Sequence, residues 1–104
     1  MEKGKKFSIQ EQVQYQNNGI VSLKIHENPM GGVTVFAFDK GQRLREHAAP
    51  FDAVVTVLEG TGEIFIAGNS HQLNAGESII MPANIPHAIN AIENFKMILI
   101  MIKG

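Results

Sequence analysis

The chain has 104 residues, 44% of them hydrophobic and 18% charged, with nine basic and ten acidic side chains and a formal net charge of −1. This composition excludes a disordered chain and a membrane-embedded one, leaves room for a single core, and lacks the basic excess of a generic nucleic-acid binder. The absence of cysteine removes disulfides, thiolate nucleophiles, iron–sulfur clusters and cysteine-ligated zinc together. One domain over residues 1–104 is therefore expected, with no nucleic-acid or membrane partner. A cytoplasmic location is expected as well, since no apolar stretch of signal-peptide length follows the basic start Met1–Lys6.

Residues 1–19 open the chain as an arm or edge strand. Within them Phe7–Tyr15 carries Gln and Glu at most positions and leaves strand, short helix and arm open. Ile20–Ile25 reads as a strand, broken at Asn28-Pro29-Met30-Gly31-Gly32, and Val33–Phe38 as the next, stopped at Asp39-Lys40-Gly41. Gln42–Pro50 is polar and loop-like, with Arg43, Arg45 and Glu46 as a charged stretch at its centre. Ala53–Leu58 is β-branched and closes at Glu59-Gly60-Thr61-Gly62. Glu63–Ala67 and Ser70–Leu73 flank Gly68-Asn69, the signal of a two-residue hairpin turn. Ser78–Met81, His87–Ile92 and Phe95–Ile102 complete the strands. Many short strands between turn residues predict an all-β fold.

Ala53–Leu58 and Phe95–Ile102 are apolar at successive positions, so both of their faces are apolar apart from Thr56 and Lys96. One face covers the chain's own core. For the other, a second copy of the chain in a homodimer is expected, the N-terminal arm being the alternative. Met81, Met97 and Met101 read as core fillers. His71, next to a turn, reads as solvated, and His26 has no evident partner.

The spacing Gly41-x5-His47, followed by a strand ending at Gly60, resembles the first motif of the cupins, and Gly76-x5-Pro82-x4-His87 resembles the second. The resemblance spans residues 33–102. It implies a small antiparallel jelly-roll barrel (a double-stranded β-helix), often dimeric, with a ligand site in the barrel mouth. The departures are specific. Where the family's first motif holds a second His and a Glu, this chain has Ala49 and Ala53. In the second motif Asn84 replaces a Gly, and Ala91 an Asn. Of the family's usual metal ligands only His47 and His87 remain.

Residues 47, 49 and 53 differ by even numbers, so an extended chain would project all three to one face. The expected site is a pocket lined by His47, Ala49, Ala53 and His87 that holds a small molecule. A divalent ion (iron, manganese, nickel or zinc) on His47 and His87 alone would lack the third protein ligand that catalytic zinc and non-haem iron use. Asp52 and Glu59 are the nearest carboxylates, with Gln42 and His26 as weaker sources. Asp52 has the wrong parity for the His47 face, unless the chain at Pro50-Phe51 shifts register. Three functions follow. The chain is a binding module, or an isomerase- or epimerase-type enzyme with His47 and Asp52 as an acid–base pair, or a metal-dependent dioxygenase or isomerase with an incomplete ligand set.

Overall fold

A computed structural model describes all 104 residues. Nine strands make two antiparallel sheets: β1 (Ile20–Asn28), β2 (Gly31–Phe38), β3 (Arg43–His47), β4 (Asp52–Glu59), β5 (Thr61–Ile66), β6 (Asn69–Asn74), β7 (Ser78–Met81), β8 (His87–Ala91) and β9 (Phe95–Ile102). The larger sheet has the order β1-β2-β9-β4-β7 and the smaller β3-β8-β5-β6. The chain passes repeatedly from one sheet to the other, as the jelly roll requires. No helix is long and apolar enough to cross a membrane.

The core lies between the sheets. Alternation puts Ala53, Val55 and Val57 of β4 inward, together with Phe38, Phe95, Met97, Ile64, Ile89 and Met81, all buried in one cluster. Phe38 and Phe95 stack with ring centroids 4.7 Å apart, and Phe36 adds a third ring 5.9 Å from Phe38. Met81 and Met97 sit in this core and Met101 packs against it.

The outer face of the larger sheet is covered in part by its own chain. Residues 9–12 form a 3-10 turn, and the following Val13 is buried with Ile25, Val35 and Ala37, while Ile9 and Tyr15 pack beside them. The arm is pinned by polar contacts. The Lys96 ammonium, buried on that face, donates to the Gln10 carbonyl at 2.7 Å, lies 3.7 Å from Glu59, and sits 5.3 Å from the centre of the Tyr15 ring. The Tyr15 hydroxyl donates to Glu59 at 2.8 Å, and burial together with that carboxylate pushes its pKa up. The arm therefore supplies part of the second cover. Val33 packs against this cluster, and from it the row Ile100–Val54–Ile80 runs on across the sheet, each residue facing the next. At that end Ile80 and Ile102 remain more than half exposed.

Three local expectations change. Gln42–Pro50 is not all loop, since Arg43–His47 is an edge strand. It turns only Leu44 into the core cluster, and sheet edges commonly carry charge on the remaining positions. The strand from Ile20 runs on to Asn28, with a bulge between Lys24 and His26. The hairpin between β5 and β6 turns on Ala67 (φ 51°) and Gly68 (φ 81°), one residue earlier than expected, and Asn69 already pairs with Ile66.

Candidate functional site

β3 ends at His47 and β8 begins at His87, and these two residues are register partners at one rim of the smaller sheet. Residues 40 apart in sequence thus place their rings together, with centroids 4.3 Å apart and planes at 70°. His87 is buried and His47 exposed, so the pair spans the barrel mouth from inside to outside. The turn beneath is fixed by the Asn84 amide donating to the Ala49 carbonyl at 2.7 Å. Asn84 has φ 64°, which explains how it can stand where the family has glycine: asparagine is among the few residues that enter this region readily.

Hydrogen bonding sets the tautomers. His47 Nδ1 lies 2.9 Å from the Arg45 carbonyl and His87 Nδ1 lies 3.3 Å from the Ile85 carbonyl. A carbonyl oxygen only accepts, so each contact puts a proton on Nδ1. The two Nε2 atoms, 3.1 Å apart, then face one another as lone pairs. Two neutral rings cannot satisfy that arrangement alone. It calls for a shared proton, a ligand donor, or a cation. Burial, and then the neighbouring His47 ring, lower the pKa of His87, while the Ile85 carbonyl works in the opposite direction.

The sign of the resulting pH dependence follows directly. The unfolded chain takes up a proton at His87 near the ordinary value of 6.5, and the folded chain only at lower pH. Between the two values the unfolded state holds more protons. In protein freed of metal by chelation, this contribution to stability is complete above about pH 6.5 and is lost as the pH falls toward the folded pKa. Urea unfolding at several pH values should show the decline, and His87→Asn should flatten it. An equal slope in the variant would assign the effect to other groups.

The other expected site residues are placed as follows. Ala53 is buried in the core on the inner face of β4, where its cross-strand neighbours are Met81 and Met101. Ala49 lies between β3 and β4, outside any strand, so the chain from His47 to Ala53 is not continuously extended. Asp52 begins β4 with the opposite parity to Ala53. It accepts from the Ala83 amide at 2.8 Å and makes no ion pair with either histidine, so the structure does not assemble a His47–Asp52 pair. Glu59 is engaged with Tyr15 and Lys96 on the outer face. The Gln42 carbonyl accepts from the Ala91 amide. His26 is exposed on β1 and His71 on β6.

No three His, Cys, Asp or Glu side chains gather at one point. The donor set therefore does not fit a resident catalytic ion held by three protein ligands. It offers two imidazoles, already in the tautomer that metal-ligating histidines adopt when Nδ1–H is held by a carbonyl. Phe38, Phe95, Ile64 and Met97 close the interior, and none of the three cavities of the structure is bounded by His47 or His87. The rings of Phe36, Phe38 and Phe95, from two strands adjacent in the larger sheet, pack together in the core between the sheets.

The cupin-domain family model matches residues 34–103. No curated protein matches the chain. Among solved structures, a conserved protein of unknown function from Streptococcus pyogenes is 36% identical, with a TM-score of 0.93 over 100% of this chain and 91% of its own. A cupin 2 conserved barrel domain protein from Leptotrichia buccalis is 45% identical, with a TM-score of 0.91 over 93% of this chain. The chain spans about half of that protein's length, 47%. Salicylate 1,2-dioxygenase from Pseudoaminobacter salicylatoxidans is 17% identical, with a TM-score of 0.75 over 80% of this chain and 25% of its own, which shows a shared fold alone. With the family model covering both motifs and two facing sheets around one apolar interior, the chain belongs to the cupin family.

Proposed function

We propose that this cupin is a small-molecule binding protein whose ligand sits at the barrel mouth on His47 and His87. The observation that carries the reading is the pair of Nε2 atoms 3.1 Å apart, both of their Nδ1 atoms being held by carbonyls. Two convergent acceptors on a rigid rim suit a hydroxyl or N–H group of a ligand. The full burial of Phe38, Phe95, Ile64 and Met97 and the exposure of His47 support docking at the His47 side of the pair.

The same separation favours a second reading. Imidazole nitrogens bound to one divalent ion lie about 2.0–2.1 Å from it, and adjacent positions on such an ion are separated by roughly the distance seen here. Iron, manganese, nickel or zinc would then bind with water or the ligand supplying the remaining positions. An enzyme of dioxygenase or isomerase type would need that ion, since Asp52 does not serve His47 as an acid–base partner.

A thermal-shift screen of polyols, hydroxy acids and sugars separates these readings when run beside elemental analysis of protein purified without chelator. A ligand at about a hundred times its dissociation constant adds about 2.7 kcal/mol of stability, or a rise in Tm of roughly 10 °C or more for a domain of this size. That rise should vanish in His47→Asn/His87→Asn. Stoichiometric metal, lost in the same variant, favours the second reading. Compounds that stabilise the variant as much as the wild type would remove the histidines from the site.

We further propose a homodimer through the outer face of the larger sheet, supported by the exposed Ile80 and Ile102 and the half-buried Val54 and Ile100 between them. Light scattering should give twice the 11.4 kDa of one chain, and Ile80→Asp/Ile100→Asp should give a monomer. A wild type of one-chain mass at high concentration would refute the assembly. The absence of cysteine supports a cytoplasmic, reducing setting.

A further inference from the structure

The outer face of the smaller sheet holds the largest cavity of the molecule, about 440 Å³, on the side of β3 and β8 facing away from the barrel. Its lining includes Arg43, Arg45, Glu46, Phe65, Ala88 and Asn90. We propose that this slot binds an aryl monocarboxylate, independently of His47 and His87.

The register builds the slot. Leu44 pairs with Ile89 and His47 with His87, so Arg45 and Glu46 together oppose the single residue Ala88. Such a bulge re-aims side chains that a regular ladder would send to alternate faces, and here it brings both residues to the cavity. Ala88 is also the cross-strand neighbour of Phe65 on β5. A methyl group thus forms the floor, with an aromatic ring on one side and the bulged Arg45–Glu46 pair on the other. Arg43 stands one step along, opposite Asn90.

The unpaired guanidiniums select the ligand. Neither arginine has an ion-pair partner, because all four ion pairs of the chain use lysines. Neither guanidinium donates a hydrogen bond to the protein, and each presents a planar fork suited to a carboxylate. The nearby Glu63 keeps its negative charge but forms no ion pair with either arginine. Both of its oxygens are taken, one by Ser70 at 2.6 Å and the other by Asn90 at 3.1 Å. Glu46 and Glu63 are the opposing carboxylates, and neither is paired with an arginine, so the two free guanidinium forks face the two oxygens of a planar carboxylate better than a tetrahedral phosphate. The half-buried Phe65 ring supplies a flat apolar surface for a ring to stack on, with a guanidinium available on the other side.

The test is a proton–nitrogen NMR titration of the full chain with sodium benzoate, with benzyl alcohol and phenyl phosphate as parallel probes. Benzoate should give saturable shifts centred on the amides of Arg45, Phe65 and Ala88, and leave the ring protons of His47 and His87 unmoved. The exposed positions allow Arg43→Gln/Arg45→Gln without loss of fold, which the spectrum itself reports. That variant should weaken benzoate binding by about tenfold or more, the usual loss on removing charge-assisted contacts. Phe65→Leu should weaken benzoate while leaving the arginine pair intact. Shifts that do not saturate, shifts centred on the histidines, or undiminished binding in the arginine variant would overturn the site. Tighter binding of benzyl alcohol or phenyl phosphate than of benzoate would overturn the ligand class.

Discussion

Phe95→Ala should destabilise the fold by about 3–5 kcal/mol, the usual cost of emptying a buried aromatic position. The ring is fully buried and stacks 4.7 Å from Phe38. It also closes over Gly62 on the opposite sheet, where an added methyl would lie 2.6 Å from the ring edge. One side chain therefore links β9 and β2 of the larger sheet to β5 of the smaller. Its removal leaves a cavity that backbone on two sheets would have to shift to fill. Urea denaturation followed by far-ultraviolet circular dichroism measures the loss. A cost below about 1.5 kcal/mol, the range of volume-conserving swaps, would mean that the interior is less tightly packed than the contacts imply. Phe95→Leu, which keeps most of the volume, should recover the larger part.

Gly60→Ala should be the costliest glycine substitution in the chain. Gly60 has φ 76°, a region that costs an L-residue about 1–2 kcal/mol. A Cβ there would also collide with the Asn94 carbonyl oxygen and lie 2.8 Å from Phe95 Cα, both of them backbone atoms that cannot swing aside. Overpacking adds about 1–3 kcal/mol, for a total of roughly 2–5 kcal/mol. Gly76 provides the control. Its φ is 87°, but nothing lies within 4 Å of an added Cβ, so Gly76→Ala should carry the conformational cost alone. Equal losses at the two positions would show that the chain between β8 and β9 yields to Gly60 without resistance.

The sequence revealed the strands of the core well, because their β-branched runs are bounded by Gly, Pro and Asn. It also revealed the meeting of His47 and His87, through the spacing of two motifs, but left the pairing of Asp52 with His47 open, because parity around Pro50-Phe51 depends on the path of a loop. It concealed β3, where a single inward Leu44 sits among charged residues and the hydrophobic alternation is too short to register. Bulges were hidden for a related reason. Which residue slips out of a ladder depends on the partner strand, and the partner of Arg45 and Glu46 lies some forty residues on. The surroundings of Ala53 were not legible either, because they are decided by Phe38, Phe95 and the methionines of neighbouring strands. The choice between arm and second copy as cover had no local signal. Ile9, Val13 and Tyr15, set among polar residues, mark where the arm docks.

The contact between Lys96 and the Gln10 carbonyl bears on how the molecule tolerates alteration at its amino end. Exposed tails are ordinarily the safest places to trim or to extend. Here, shortening that removed Gln10 would strand an ammonium among apolar groups with only Glu59 nearby. Cuts or appended tags confined to residues before Ser8 leave this anchorage intact, whereas any boundary drawn deeper disturbs a charge that the sheet has enclosed.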